Sequence, residues 1–253
     1  MSLLIELTKR DFTERYSGSV LGVFWTFIWP LVNIFVYTVI FSQVMGARLQ
    51  GSSTTYSYGI YLVAGILPWT AFANTVSRSS TVFVDKKHII SKIKVSLTSL
   101  PLYIVMSESI TFLITLTIYI GFLLATGAPI RKTIMFLPAI YLVQQIFAYS
   151  LGFLISIFHV FIRDLKEVTG IVLQIWFWFT PVVYLYDILP NFAKKLVVFN
   201  PAFLFVKGYQ DIFVLDRVPD FMHLLELTIL AHLLLLSGYI IFKKLEKDIR
   251  DFI

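Results

Sequence analysis

Long runs of apolar residues, broken by short charged segments, dominate the chain from residue 23 to residue 242. A helix needs about 20 mostly apolar residues to cross the hydrocarbon core of a bilayer. Six runs approach or exceed this length, and we predict that each forms a spanning helix: Val23–Met45, Gly59–Ser77, Ile104–Thr126, Ile134–Ile162, Gly170–Tyr186 and Leu225–Phe242. The predicted fold is therefore an all-α membrane protein with six transmembrane helices.

Two further segments carry apolar residues but do not span in this prediction. Residues 1–22 are predicted to form a cytoplasmic interface helix, in which Ile5, Phe12 and Tyr16 share one face and Leu3, Leu4 and Leu7 another, so the amphipathic signal is weak. The stretch from Asp187 to Leu224 is interrupted too often to span. It predicts short re-entrant or interfacial helices between the fifth and sixth spans, broken at Asn200–Pro201 and at Gly208.

Composition supports a lipid environment. Of 253 residues, 58% are hydrophobic and 14% are charged, against about 25% charged in a soluble domain. The net charge of +6 predicts basic loops near an anionic leaflet and no binding of nucleic acid, because no basic motif or face stands out. The chain has no cysteine, so thiolate and disulfide chemistry are excluded.

The distribution of Lys and Arg predicts the orientation. Roughly twice as many of them fall on the side of the two termini as on the other side. Both termini are therefore predicted to be cytoplasmic, in a multi-pass protein of the cytoplasmic (inner) membrane. Residues 1–253 form one predicted transmembrane domain, with the six-span region at 23–242 and a cytoplasmic tail at 243–253.

Catalytic chemistry is poorly supported. No two of the four histidines have a four-residue spacing that would place two metal ligands on one helical turn, and no G-x-x-x-x-G-K-[ST] loop is present. The carboxylates inside predicted spans are Glu108 and Glu226. Each lies near a predicted helix end and can reach the interface, so hydration or helix packing is favoured over proton coupling.

Aromatic side chains are dense in the first and fifth predicted spans. Pyranose rings can lie on aromatic faces while a Tyr hydroxyl or an indole N–H reaches their hydroxyl groups. For any single ring, a lipid-facing or packing role is the more frequent one, and only the density favours a sugar-tolerant channel. The predicted channel-lining residues are Trp25, Trp29, Tyr37, Trp176, Trp178 and Tyr184.

Several segments resemble one transporter family. "KRDFTERYSGSVLGVFWTFIWP", "GILPWTAFANTVSRSSTVFVDKKHIISKIKVSLTSLPL", "FIRDLKEV", "WFWFTPVVY" and "NPAFLFVKGYQDIFV" follow one another in the order found in the permease subunits of polysaccharide-exporting type 2 ABC transporters. The chain is most similar to the O-antigen exporters, with capsule and teichoic-acid exporters near. It departs from the family pattern at Val95–Ser96, where Phe-Pro is frequent, and at Gln210, where Arg is frequent.

The resemblance implies a half-transporter. Two copies form a channel for a polysaccharide carried on a polyprenyl diphosphate lipid, and two separate ATP-binding cassette subunits hold ATP and Mg, so this chain binds no cofactor or metal. The implied contacts with the ATPase subunit are Asp11, Tyr16, Val84, Asp85, Arg163 and Asp164. The candidates for the lipid phosphate are Arg10, Arg15, Lys86 and Lys87, which ordinary positive-inside charge also explains. The implied outer gate consists of Asn200, Pro201, Phe203 and Tyr209.

Two other functions stay open on the sequence alone. One is a type 2 exporter of a drug or a lipid, which shares the topology but does not need a continuous aromatic channel. The other is a membrane enzyme acting on polyprenyl-linked sugars, which needs an acidic or histidine cluster near one interface. The acidic candidates for such a cluster are Asp211, Asp216 and Asp220.

Overall fold

The computed structural model describes residues 2–15, 17–40, 56–92 and 96–252, and in these ranges the chain is helical with no strand. Short 3-10 turns lie at Gly22–Phe24, Leu97–Ser99, Lys132–Phe136 and Tyr186–Ile188, and a π-helical turn lies at Asp211–Leu215. The α-helices are α1 (Ser2–Arg15), α2 (Trp25–Thr38), α3 (Ser57–Ser80), α4 (Val82–Asp85), α5 (Lys87–Ile90), α6 (Leu102–Ala125), α7 (Leu137–His159), α8 (Leu165–Phe179), α9 (Asn191–Val197), α10 (Pro201–Gln210) and α11 (Phe221–Phe252).

Four predicted spans are confirmed as helices long and apolar enough to cross a membrane, namely α3, α6, α7 and α11. The first predicted span begins as the 14-residue apolar helix α2, and the part of it after Ile40 lies outside the described residues. The all-helical fold class is therefore confirmed, and the count of six spans stays a prediction.

The fifth predicted span is corrected. The helix runs from Leu165 to Phe179 instead of from Gly170 to Tyr186. It ends early because Thr180 precedes Pro181, and the residue before a proline is pushed out of the helical region. Thr180 has φ −105° and ψ 131° accordingly. At about 1.5 Å per residue, the 15 residues of α8 reach only about 22 Å, less than a bilayer core of about 30 Å.

The last helix is longer than predicted. α11 continues through the segment predicted as a tail, to Phe252. Glu246 accepts ion pairs from Lys243 at 3.3 Å and from Arg250 at 3.5 Å, and such pairs three or four residues apart stabilise a helix. No proline or glycine follows Gly238 to stop it.

The segment after α8 forms short helices, as predicted, but one predicted break is wrong. α10 begins at Pro201 with Asn200 as its N-cap, which confirms the first break. Gly208 lies inside α10, where a Cβ atom would come within 3.0 Å of Ile140. This glycine therefore permits close packing against α7 and does not end the helix.

The centre of the bundle is α3, which is buried on most sides by α2, α6, α7, α8 and α10. Its contact with α7 is close, because a Cβ atom on Gly152 would lie 2.5 Å from Cβ of Ser79. A second apolar cluster lies where α1 and the helices α4 and α5 meet the ends of α7 and α11, around Phe83, Leu100 and Phe242.

The first helix buries a face that includes Leu4 and Leu7 of the second predicted set, and both pack in the second apolar cluster. Leu7, Thr8 and Asp11 are buried, whereas Ile5 is 42% exposed. Thr8 donates to the backbone oxygen of Leu4 at 2.8 Å, and α1 packs on α6. A polar face is buried because Asp11 finds charged partners on the neighbouring helices, as described below.

Candidate transport site

An aromatic-rimmed cavity of about 270 Å³ lies between α2, α3 and α6. Its aromatic side comes from α2, which contributes Trp25, Trp29 and Tyr37, three of the six predicted channel-lining residues. Its apolar wall includes Val63 and Leu67 of α3. Polar side chains also line it, and these were not predicted from the sequence: Asn33, Thr70, Asn74, Glu108, Thr111 and Thr115.

Helical spacing places the two tryptophans on one face of α2. Residues four apart are neighbours on a helix surface, and the ring centroids of Trp25 and Trp29 lie 6.1 Å apart with an interplanar angle of 35°. The indole N–H of Trp25 donates to Ser19 Oγ at 3.0 Å. Trp29 is 60% exposed, so one ring is held in place and the next is available to a ligand or to another chain.

A buried ion cluster borders this cavity. Glu108 Oε1 accepts hydrogen bonds from Nη2 of Arg15, at 2.8 Å, and from Nη1 of Arg78. Asp11 accepts from the same two guanidinium groups and from the hydroxyl of Ser107. Two cations thus neutralise two carboxylates, which meets the condition for burying charge in a low-dielectric environment. The cluster joins α1 to α3 and α6.

Two roles were expected for Glu108, hydration at the interface and helix packing, and the structure agrees with helix packing. The side chain is 2% exposed and its Oε1 atom pairs with two arginines, so it serves helix packing. The relevant sequence signal is that Arg78 directly follows the second predicted span and Glu108 lies in the first turns of the third. Antiparallel neighbours bring these two ends together.

The predicted aromatics of the fifth span lie apart from this cavity. Trp176 is half-buried against Phe72, with ring centroids 5.4 Å apart, and its indole N–H donates to Asn200 Oδ1 at 2.6 Å. Trp178 is 61% exposed. The hydroxyl of Tyr184 donates to the backbone oxygen of Trp178 at 3.0 Å. The six predicted lining residues therefore form two separate groups within the chain.

The four predicted outer-gate residues also separate into two environments. Asn200 and Pro201 line a groove of about 430 Å³ together with Trp176, whereas Phe203 and Tyr209 are buried in the protomer core. Gln210, at the position where an arginine was noted in the family, is buried and donates from Nε2 to the backbone oxygen of Pro181 at 3.0 Å. It anchors the turn after α8.

Comparison with known proteins identifies the family. The family model of the ABC-2 type transporter matches residues 2–214. The chain belongs to the ABC-2 type transporter family. It is 28% identical over 251 residues to the O-antigen export system permease protein RfbA of Myxococcus xanthus, covering 98% of this chain and 94% of that protein. It is 29% identical over 245 residues to a protein of the same name from Klebsiella pneumoniae, covering 96% and 92%.

Three of the four predicted partners of the lipid phosphate form ion pairs within this ABC-2 protein. Arg10 and Lys86 both pair with Glu14, the latter at 3.4 Å. The hydrogen bond from Arg10 lowers the pKa of the Glu14 carboxyl below its usual value, against a smaller opposing effect of burial. Arg15 belongs to the ion cluster, and Lys87 is exposed.

The predicted contacts of this ABC-2 protein with an ATPase also differ in accessibility. Asp85, Arg163 and Asp164 are exposed and Val84 is half-buried. Asp11 is buried in the ion cluster, and Tyr16 lies outside the described residues. The accessible members therefore come from α4 and from the turn between α7 and α8.

Asp211, Asp216 and Asp220 of the ABC-2 protein make separate contacts. Asp216 pairs with Arg131 at 2.9 Å, and Asp220 accepts from the backbone N–H of Met222. Burial raises the pKa of Asp211 above its usual value, more than nearby Lys and Arg lower it. Within the described ranges, no three His, Asp or Glu residues are grouped to hold a metal. Family membership assigns transport, not catalysis, to this chain.

Proposed function

We propose that this chain is the transmembrane subunit of an ATP-driven exporter that moves lipid-linked polysaccharide of the O-antigen type across the cytoplasmic membrane. The observation that carries the proposal is the match, over nearly the whole chain, to proteins named O-antigen export permeases. The structure supports it with a wall suited to sugars, in which aromatic rings of α2, among them the exposed ring of Trp29, lie beside polar side chains.

Two copies form the channel in this proposal. α8 is too short to cross a bilayer core alone, and it exposes Ile171, Ile175 and Trp178 by 58%, 52% and 61%. α2 is equally short over its described residues and exposes Trp29 and Phe35. Apolar patches of this kind next to polar groups mark contact surfaces, so a second copy packed on α2 and α8 would enclose a path lined with rings.

The energy comes from a partner in this proposal. The chain lacks the G-x-x-x-x-G-K-[ST] loop that cradles nucleotide phosphates. Two ATP-binding cassette subunits, which hold ATP and Mg, would dock on the cytoplasmic side around Asp85, Arg163 and Asp164. The polyprenyl diphosphate head would approach the same side, where Arg10 and Lys87 are exposed and can pair with phosphate. Both termini are cytoplasmic in this arrangement.

The test is export in membrane vesicles. Vesicles carrying this chain and a co-expressed ATPase subunit should translocate labelled lipid-linked glycan on addition of ATP, and the chain alone should hydrolyse no ATP. ATP turnover by the isolated chain would contradict the proposal. Transport of a drug or of a plain lipid, without transport of glycan, would favour the other exporter class instead.

Substitution of the exposed aromatic rings is a second test of the proposed function. A ring contact is worth about 1 kcal/mol, so Trp29→Ala and Trp178→Ala should each slow export about fivefold with unchanged folded yield. Tyr239→Ala is the control, since Tyr239 is an exposed ring, 47% accessible, on α11. Equal losses of yield and export in all three variants would make these rings structural.

A further inference from the structure

One end of the cavity between α2, α3 and α6 has hydrogen-bond acceptor capacity that the protein does not use. Glu108 Oε1 accepts from Arg15 and Arg78. In the part of the chain that the structure describes, Oε2 receives one long bond, from Asn74 Nδ2 at 3.5 Å. A carboxylate has about four acceptor sites. Because both residues line the cavity, a ligand there can donate to Oε2.

The threonines of α6 add acceptors to the same wall. Thr115 Oγ1 donates its hydrogen to the backbone oxygen of Thr111 at 2.9 Å, and Thr111 Oγ1 donates to the backbone oxygen of Ser107 at 3.2 Å. A hydroxyl whose hydrogen is committed to its own helix presents only lone pairs to a neighbour. Toward a ligand these two hydroxyls are therefore acceptors, and that of Thr111 also accepts one long bond, from Arg15 Nη1 at 3.5 Å.

The charge of this wall disfavours anions. The lining residues within the described ranges include one carboxylate and no Lys or Arg. The nearest guanidinium groups, those of Arg15 and Arg78, are already paired with Asp11 and Glu108. Those pairs also cancel most of the charge of Glu108, so a cation gains little. The ligand that matches is uncharged and donates hydrogen bonds, which describes a sugar hydroxyl.

The size and the rim of the cavity agree with a small ligand. Its volume of about 270 Å³ lies just below the range of about 300–1000 Å³ for small-molecule sites, which suits one sugar unit. Trp25 and Trp29 stand at the rim and can cover the C–H face of a pyranose. We propose that this cavity is a binding subsite for one uncharged sugar unit, whose hydroxyls donate to Glu108 Oε2 and bond to Asn74.

This inference rests on the proposed function and makes it more specific. In the proposed channel, this cavity would bind the neutral sugar units one after another and would exclude the charged diphosphate head. It also assigns binding roles to Asn74 and Glu108, which lie beside the predicted aromatics but were not among the predicted site residues.

The absence of cysteine allows a direct test in the assembled transporter. Thr70→Cys places a thiol on the cavity wall, and Ser17→Cys places one on the exposed connection between α1 and α2 as the control. With the ATPase subunit present, the rate of modification by a small uncharged maleimide is measured with and without methyl glucoside. At twice its Kd the glycoside should slow modification of Thr70→Cys about threefold and leave Ser17→Cys unchanged. Methyl phosphate should protect neither.

Two variants in the Thr70→Cys background test the assigned contacts. Asn74→Leu and Thr115→Val should each raise the glycoside concentration needed for protection about threefold to tenfold, which is the effect of losing one hydrogen bond. Thr115→Val keeps the side-chain shape, so it serves if Asn74→Leu does not assemble. Thr117→Val is the matched control, because Thr117 is exposed on another face of α6 and bonds only its own helix in the described chain.

The outcomes separate this inference from the proposed function. Protection by methyl phosphate, or equal protection of both cysteines, overturns the subsite. Export of glycan with no protection by glycoside, and with full export by Asn74→Leu, also overturns the subsite and leaves the proposed function standing. Protection by glycoside in a transporter that exports no glycan supports the subsite and refutes the proposed function.

Discussion

The ion cluster gives the sharpest stability prediction. In Glu108→Gln the side chain keeps its shape and loses its charge, so Arg15 and Arg78 retain Asp11 as their one carboxylate partner. Hydrogen bonds to charged groups contribute about 1.5–3 kcal/mol each. Removing one partner of a buried pair costs about 3–5 kcal/mol.

The expected loss is smaller than that full value, for two reasons. The side chains of Arg15 and Arg78 are 25% and 29% exposed, so water can solvate part of the released charge. The amide oxygen of the glutamine also still accepts hydrogen bonds. We therefore expect a loss of about 2–3 kcal/mol. In domains of this size 1 kcal/mol corresponds to about 2–4 °C, so the midpoint of thermal unfolding should fall by roughly 4–12 °C.

The assay is thermal unfolding of the detergent-solubilised protein. After heating to each temperature, size-exclusion chromatography measures the fraction that is still folded. Glu226→Gln is the matched control, because Glu226 is the other carboxylate within a predicted span and is exposed; its midpoint should not move. The double variant Arg78→Met/Glu108→Gln should lose less than the sum of the two single losses, since both changes break the same contact. Equal shifts in Glu108→Gln and Glu226→Gln, or strict additivity, would refute the cluster as a joint stabilising unit.

Four further variants should differ from the unaltered protein in stability, and the same unfolding measurement detects each difference. Gly152→Ala should cost about 1–3 kcal/mol of stability, because its Cβ would lie 2.5 Å from Cβ of Ser79. Gly121→Ala, which has no atom within 4 Å, should instead gain up to about 1 kcal/mol. Equal effects of the two substitutions would contradict the close contact between α3 and α7. Asn200→Ala should cost about 1–2 kcal/mol by removing the cap of α10, and an unchanged midpoint would count against that cap. Asp211→Asn should raise the midpoint at pH 7–8, with a gain that fades toward about pH 4; a gain independent of pH would contradict burial as the cause.

The sign for Asp211 follows from linkage. Burial raises the pKa of this carboxyl in the folded protein, so its protonation stabilises the fold. That contribution is complete below the unfolded pKa and is lost as the pH rises through the folded pKa. The asparagine variant stays uncharged throughout, so its advantage is confined to the higher pH.

The spans were the part of the fold that sequence could predict best. α3, α6, α7 and α11 were found because apolar length alone decides whether a helix can be stable in lipid. The fifth span was placed too far along the chain because its apolar run continues past Pro181, where local backbone sterics end the helix. The sequence predicts a break at Gly208 because a glycine in a short segment can either end a helix or permit close packing, and only the neighbouring Ile140 distinguishes the two.

The candidate site was predicted in part. The rings of α2 were found from their density, but Asn74 and Glu108 were not grouped with them, because these residues are distant in sequence and polar residues in spans have several roles. The pairing of Glu108 with Arg15 and Arg78 likewise depends on three helices meeting at one end of the bundle.

The sequence by itself determined that this chain is a helical membrane protein of a transporter class, because composition and apolar run length are properties of each segment alone. The order of its short motifs also indicated the family, because that order is present in the sequence without any tertiary contact. Only the tertiary structure decided which polar groups neutralise one another, which rings share a cavity and where acceptors remain unused. Those outcomes depend on contacts between residues distant in the chain, and the free energy of burying a charge or a hydroxyl is set by such contacts.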